Sequence, residues 1–255
     1  MSTSARSQIV SGPTTRTGLI LAAGFGSRLA GVSDLTRLKP LTPVGGVPLM
    51  QRTLDSLAVA GCSRVVVVTG FRADEVEHAV EQAYSGPLTL EFVRNPRYEL
   101  SNGVSVLAAR PRLPEQFVLT MADHVFGDEV MNVAGAHSPD PGTATLLVDY
   151  KLDSIFDLAD ATKVFAEAGR VRLIGKQLDP FNAVDTGLFV GTSGLLDAIA
   201  AVFEQKGDAS LSDGVSRLAA LGRMTALDIG AGFWQDVDTP EMLAHAGHVL
   251  AARYA

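Results

Sequence analysis

Two cationic side chains flank a glycine loop near the start of this chain, and two carboxylates lie far downstream at the ends of apolar runs. The run Leu19-Ile20-Leu21-Ala22-Ala23 empties into Gly24-Phe25-Gly26-Ser27-Arg28-Leu29, and Lys39-Pro40-Leu41 follows. A buried strand that ends in a glycine loop brings bare backbone N–H groups to a sheet edge, where they form a nest for phosphate oxygens. Glycine suits the place because it tolerates positive φ and lets a ligand approach the main chain. Arg28 and Lys39 add full charges to those dipoles, which reads as a site for a nucleoside triphosphate neutralised from two sides. Asp123, at the end of the apolar run 117–121, must be exposed at the sheet edge or paired with a cation. Asp236 also follows a strand-like segment. Two carboxylates with open coordination positions suit Mg²⁺, which keeps waters and substrate phosphates around it.

Plainer readings exist. Glycine turns after strands are common in α/β proteins, and a lysine beside a proline is an ordinary surface feature. Two better-known phosphate loops are excluded by particular residues. A dinucleotide fingerprint needs G-x-G-x-x-G and an acidic residue at the end of the second strand. Here the third glycine position is Leu29, and the strand 65–68 ends in Thr69-Gly70. A P-loop needs G-x-x-x-x-G-K-[ST], which no segment supplies.

The elements that must hold these residues alternate in the first half of the chain. Strands are expected at 19–23, 65–68, 88–93 and 117–121, with helices at 49–60, 73–84 and 102–110 between them, from apolar residues at strand or helical spacing. Continuous apolar strands alternating with helices predict a parallel sheet covered on both faces. Ligands on such sheets sit at the carboxyl ends of the strands, where the glycine loop and Asp123 both fall. The second half reads differently, with strand-like runs at 143–150, 162–165, 171–174, 187–190 and 224–229. Helical segments lie at 195–203 and 211–221, and Thr239-Pro240-Glu241 opens a last helix with Thr239 as N-cap and Pro240 at the first position. The change of pattern near residue 140 divides one domain, 18–255, into two halves, 18–140 and 141–255, with no flexible hinge between them. Residues 1–17, rich in Ser and Thr, read as a mobile tail without the apolar core of a secretory signal.

Composition bounds the partners. The 255 residues are 47% hydrophobic and 19% charged, with a formal net charge of -7. This describes a globular domain and argues against one that tracks nucleic-acid phosphates. A single cysteine, Cys62, excludes an internal disulfide framework and reads as a small buried filler. No stretch reaches the roughly 18 apolar residues of a transmembrane helix, so a cytoplasmic location is expected. The letters leave the oligomeric state open.

Four segments, LILAAGFGSRL, LKPLTPVGGVPL, TMADH and FWQDVDTPEML, together resemble the nucleotidyltransferases that activate sugar phosphates. They cover roughly residues 18 to 245 in order and spacing. Within that superfamily, MADH, DLADATKVF and IGKQLDPFNAVDTGLF are most similar to the CTP:inositol-1-phosphate cytidylyltransferases. The resemblance implies a Rossmann-like, mostly parallel mixed sheet sandwiched by helices, with a small β-rich acceptor-binding part, and makes 18–140 the nucleotide-binding half and 141–255 the acceptor-binding half. It implies that Arg28 and Lys39 hold the triphosphate and stabilise charge moving onto pyrophosphate. The main chain of Leu21, Ala22, Ala23, Gly24, Gly26 and Ser27, with Asn102, Gly103 and Ala122, would take the nucleotide. Asp123 and Asp236 would be the Mg²⁺ ligands.

Lys176 matches the position where relatives place a lysine on the acceptor phosphate, and Lys163, Asp185 and His124 are further acceptor candidates. Plainer roles stand beside them: Ser101-Asn102-Gly103 also reads as a helix cap, the lysines as surface charge, and His124 as structural. Asp238 stands where many superfamily members have glycine. A metal contact and support of the last helix are both open for it, the helix role being favoured.

The leading expectation is an Mg²⁺-dependent cytidylyltransferase acting on inositol 1-phosphate or a related polyol or sugar phosphate. Another nucleotide and acceptor pair, such as one with glucose 1-phosphate or phosphocholine, is the near alternative. A non-catalytic nucleotide-binding regulatory subunit is the distant one, disfavoured because Arg28, Lys39, Asp123 and Asp236 are all present. Members of this subgroup are sometimes joined to a membrane-embedded partner that consumes the product; the pattern of 242–254 is soluble, so such a partner is expected as a separate protein.

Overall fold

The computed structural model of the chain describes residues 16–26 and 38–253. The first half builds the strand–helix alternation: β1 (Arg16–Ala22), a two-residue hairpin of β2 (Pro43–Val44) and β3 (Val47–Pro48), α1 (Leu49–Val59), β4 (Cys62–Thr69), α2 (Ala73–Ala83), β5 (Thr89–Arg94), α3 (Asn102–Ala109) and β6 (Gln116–Met121). Then come β7 (His124–Phe126), α4 (Asp128–Ala136), β8 (Ala144–Asp149), β9 (Lys163–Glu167), β10 (Arg170–Gly175), β11 (Ala183–Thr192), α5 (Ser193–Lys206), α6 (Leu211–Ala220), β12 (Met224–Asp228), β13 (Trp234–Asp236) and α7 (Pro240–Arg253). Most of the tail expected over 1–17 lies outside the described residues, and its last two positions, Arg16 and Thr17, belong to β1.

Nine strands form one sheet in the order β5-β4-β1-β6-β11-β8-β12-β10-β9. The first four are mutually parallel. β11 then enters antiparallel between β6 and β8, so the sheet is mixed and continuous across both halves of the chain. Ala183 and Val184 of β11 also pair with β9, so β11, β8, β12, β10 and β9 close into a ring of pairings. This is the β-rich part that the second-half pattern implied.

Side-chain alternation along the strands feeds two cores. Leu19, Leu21, Val66, Val68, Phe117 and Leu119 face α3, α5 and α6. Ile20, Ala22, Val65, Val67 and Val118 face α1, α2 and α4. Each strand is therefore apolar on both faces, the cause of its continuous apolar run. Gly18 lets α1 approach closely, since a Cβ there would lie 2.8 Å from Leu57 Cδ1. Cys62 is buried, and burial pushes its thiol up to about 12.

A third, small core decides the site. Val44, Leu49, Val125, Val237, Ala246 and Leu250 join the hairpin, the β7–β13 ribbon and α7. Val125 follows His124, and Val237 separates Asp236 from Asp238, so packing these valines fixes the polar residues beside them. α4, β7 and the β2–β3 hairpin were not among the expected elements. Yet α4 carries Asp128 and Glu129 in its first turn and buries Val130, Met131 and Ala134 at helical spacing, the usual signature.

Candidate active site

β1, β4, β6 and β8 all end at one edge of the sheet, and the antiparallel β11 begins there, its Val184 beside Asp149 at the end of β8. Parallel strands thus present their C-termini and β11 its first residues, bringing Gly24, Asp123, Asp149 and Asp185 to the same rim.

Two cavities open on this rim. The smaller, about 320 Å³, is lined by Leu21, Ala22, Gly24, Phe25, Gly26, Lys39, Pro40, Ala122, Asp123 and Asp238. Gly26 has a φ of +61°, and a Cβ on it would lie 2.7 Å from Lys39 Cβ, so glycine is what lets the loop close onto Lys39. Ala23 is outside the lining; its carbonyl accepts from Phe71 N–H at 3.1 Å. Phe25, 49% exposed, gathers with Phe71 and Tyr98 at ring separations of 5.2 and 5.6 Å. Arg28 and Ser27 lie outside the described residues.

The larger cavity, about 510 Å³, includes Asn102, His124, Lys176, Asp185 and Asp236 in its lining. Residues 150–162, between β8 and β9, form a strap along one side, where Phe156 stacks on His245 of α7 at 4.4 Å. Asp238 lines both cavities, and the adjacent Asp123 and His124 line one each. The two spaces therefore meet at these residues.

The junction is an ion network. The Lys39 ammonium donates to both Asp123 Oδ2 and Asp238 Oδ1. Burial works against the charged lysine, but the two carboxylates outweigh it and raise its pKa. Burial would likewise raise Asp123, yet Lys39 and His124 hold its carboxyl far below the usual range. His124 Nδ1 lies 2.7 Å from Asp123 Oδ1. Burial opposes the imidazolium, and the carboxylates of Asp123 and Asp236 reverse that and raise its pKa.

Asp236 reaches this network through the β7–β13 ribbon, whose register sets it opposite His124, and through Val237 N–H donating to the Asp123 carbonyl at 2.9 Å. Its pKa is raised, chiefly by burial, with Asp238 and Asp123 adding to it. Asp185 is pushed up to about 6 by burial, partly offset by its hydrogen bond from Gly187 N–H and by His124. Gly187, at φ +73°, sits under His124, and a Cβ there would lie 2.4 Å from the imidazole Nε2.

The structure thus gathers Lys39, Asp123, His124, Asp185 and Asp236, with Lys176 on the wall of the larger cavity, paired to Asp160 at 2.7 Å. It does not bring Lys163 into the lining. That side chain is buried, and its ammonium donates to Ala159 C=O at 2.7 Å, tethering the strap. Gly103 is likewise closed off, since a Cβ there would meet Ala209 O at 2.5 Å; glycine serves close packing of α3 on the α5–α6 connection. Asn102 Oδ1 accepts from Leu211 N–H, while the residue still lines the larger cavity. The Asp238 carboxylate turns to Lys39 while its N–H donates to Met242 Sδ of α7 at 3.4 Å, and Thr239 Oγ1 caps that helix by accepting from Met242 N–H. Sequence reasoning passed over Asp149, Lys151, Phe156 and His245, whose only signal is their clustering in space.

Among the described residues, no group of three or more His, Cys, Asp or Glu is arranged to hold a metal ion. The donor set suits a different habit: two carboxylates near one another, with remaining positions left to water and phosphate, as Mg²⁺ prefers. Asp123 and Asp236 fit such an ion.

A mixed sheet with a glycine loop and an acid–lysine network at one rim defines a nucleotide-binding α/β domain with a second, polar cavity beside it. The chain belongs to the MobA-like NTP transferase domain family, whose profile matches residues 18–156. It is 37% identical over 88% of its length to a bifunctional IPC transferase and DIPP synthase from Rubrobacter xylanophilus, covering 49% of that protein. It is 32% identical over 92% of its length to the protein of the same description from Archaeoglobus fulgidus, covering 44% of it. The chain thus spans about half the length of these curated relatives. The structure of the inositol-1-phosphate CTP transferase from T. maritima superposes with a TM-score of 0.80 at 28% identity, covering 93% of this chain and 95% of that one. Among the described residues, no helix is long and apolar enough to cross a membrane.

Proposed function

We propose that this chain is a cytidylyltransferase that joins CTP to inositol 1-phosphate. The observation that carries the reading is the meeting of two cavities at Asp123, His124 and Asp238, one walled by a glycine loop and the other by acceptor-type polar groups. The names of the T. maritima structure and of the Rubrobacter and Archaeoglobus relatives support the donor and acceptor. An acceptor phosphate oxygen attacks the α-phosphorus of CTP, a P–O bond forms, the bond to the β-phosphate oxygen breaks, and pyrophosphate leaves with CDP-inositol as the other product.

Both reactants are anions, so the work is charge neutralisation and in-line positioning. Leu21, Ala22, Gly24, Gly26 and Ala122 form the donor wall; Ser27 and Arg28 follow Gly26 in sequence, and Arg28 would hold the triphosphate. Lys39 is held at the junction by Asp123 and Asp238 and neutralises charge passing to the leaving group. Asp123 and Asp236 would hold Mg²⁺, which supplies further neutralisation of the phosphates. His124 and Asp185 face the acceptor, and Lys176 offers a cation to its phosphate. Use of CTP fits a cytoplasmic location, and a separate membrane enzyme would use the product.

Incubating the protein with each nucleoside triphosphate and a panel of phosphate monoesters, and following pyrophosphate release, tests the reading. CTP with inositol 1-phosphate is expected to be the fastest pair. Release with a different pair only would reassign the substrates, and no release with any pair would end the transferase reading.

A further inference from the structure

The larger cavity holds a polar pair to which the proposed reaction gives no task. Asp149, at the end of β8, is buried, its side chain 3% exposed. Oδ1 accepts from Lys151 N–H and from the Lys151 ammonium, both at 2.8 Å. Oδ2 accepts from the Trp234 indole N–H at 3.0 Å. The Lys151 ammonium donates in addition to Gly230 C=O at 2.7 Å. An ammonium has three donors, and these two partners take two. Lys151, Asp149 and Trp234 all line the cavity, and the indole lies nearly parallel to the His124 ring, at 18° and 6.2 Å.

The arrangement suits a particular kind of ligand atom. A buried carboxylate persists only when donors satisfy it, and three do. The pair is neutral as a whole, which makes it a weak attractor for a phosphate but a good neighbour for a hydroxyl that both donates and accepts. Rigid partners hold Lys151, so little rotamer freedom remains to be lost on binding. The indole beside it, stacked on His124, lines the same cavity.

We propose that Lys151 determines acceptor selectivity by donating a hydrogen bond to a ring hydroxyl of the phosphorylated polyol, and that Asp149 is a positioning residue that fixes both Lys151 and Trp234. This rests on the acceptor class proposed above.

The test is a cycle between the protein and its acceptor. Wild type and Lys151→Ala are assayed with CTP against inositol 1-phosphate and a set of its monodeoxy analogues, and Lys151→Arg is included as the conservative variant. Lys151→Ala is expected to raise the KM for inositol 1-phosphate about tenfold, as fits loss of a charged hydrogen bond, and to leave the KM for CTP unchanged. At one deoxy position the penalty seen in wild type should vanish in Lys151→Ala, and Lys151→Arg should restore part of it. Equal deoxy penalties in both proteins, or a loss falling on CTP as well, would overturn the assignment while leaving the transferase reading intact. No turnover of inositol 1-phosphate by wild type would overturn both.

Discussion

The two cavities that share Asp238 are built by different means. The smaller one takes most of its wall from a short stretch of chain, residues 21–26 with Lys39 and Pro40, together with Ala122 and Asp123. The larger one draws on the ends of β8 and β11, the strap 150–162, the β13 segment and α7. The first is therefore walled largely by main-chain groups and one ion network, and the second by side chains from many separate places, Asn102, His124 and Lys176 among them. A main-chain wall keeps its N–H and C=O groups through exchanges that preserve φ and ψ, glycines such as Gly26 apart, whereas a side-chain wall is altered one residue at a time. On the proposed function, the smaller cavity would take the donor with little dependence on individual side chains, and the larger would be where acceptor selectivity is set.

Substitution at the junction should strike both sides at once. Asp123→Ala is expected to lower turnover about a hundred- to a thousandfold with every acceptor, as removal of one electrostatic stabiliser does, with circular dichroism unchanged. A rise confined to acceptor KM would instead place Asp123 on the acceptor side alone. A smaller effect is expected at Gly187, where an alanine would meet both the strained φ of +73° and the His124 ring at 2.4 Å. Gly187→Ala should cost roughly 1–3 kcal/mol in urea unfolding and weaken the acceptor more than CTP. An unchanged midpoint together with an unchanged acceptor KM would show that this contact does not hold His124.

The smallest effect is a pH dependence. Burial pushes the Asp185 carboxyl up to about 6, above the ordinary range of a carboxylate, so the folded state binds its proton more tightly than the unfolded state. Wild type should lose stability as pH rises from about 4 to 6, and Asp185→Asn, which still accepts from Gly187 N–H, should not. The variant is expected to be more stable by up to about 3 kcal/mol at pH 7.5, with the gap closing near pH 4. Equal midpoints at both pH values would remove the buried-carboxylate account of the acceptor wall.

How much of this was legible varied with sequence distance. β1, β4 and β6 announced themselves because burial on both faces demands unbroken apolar runs, and the glycine loop followed from the end of such a run. Lys39 was legible as a candidate from its place behind the loop, though not its clasp by Asp238. Lys163 misled because a lysine in a strand-like segment carries no mark of which way its ammonium turns. Here it turns to Ala159 C=O and anchors the strap. Lys151 and Asp149 carried no signal, since neither matters until Trp234, far along the chain, delivers its indole N–H.

The sequence by itself determined most of the strands and helices, the glycine loop after β1 and the charged residues near it, because those depend on local periodicity and on what a strand end exposes. Tertiary structure alone decided that Asp236 stands opposite His124, that Asp238 faces Lys39, and that the acceptor wall is assembled from the strap, β11 and α7. Those placements depend on β-pairing register and on the packing of Val125 and Val237 into the small third core. Register is a relation between distant segments, and no local pattern fixes it.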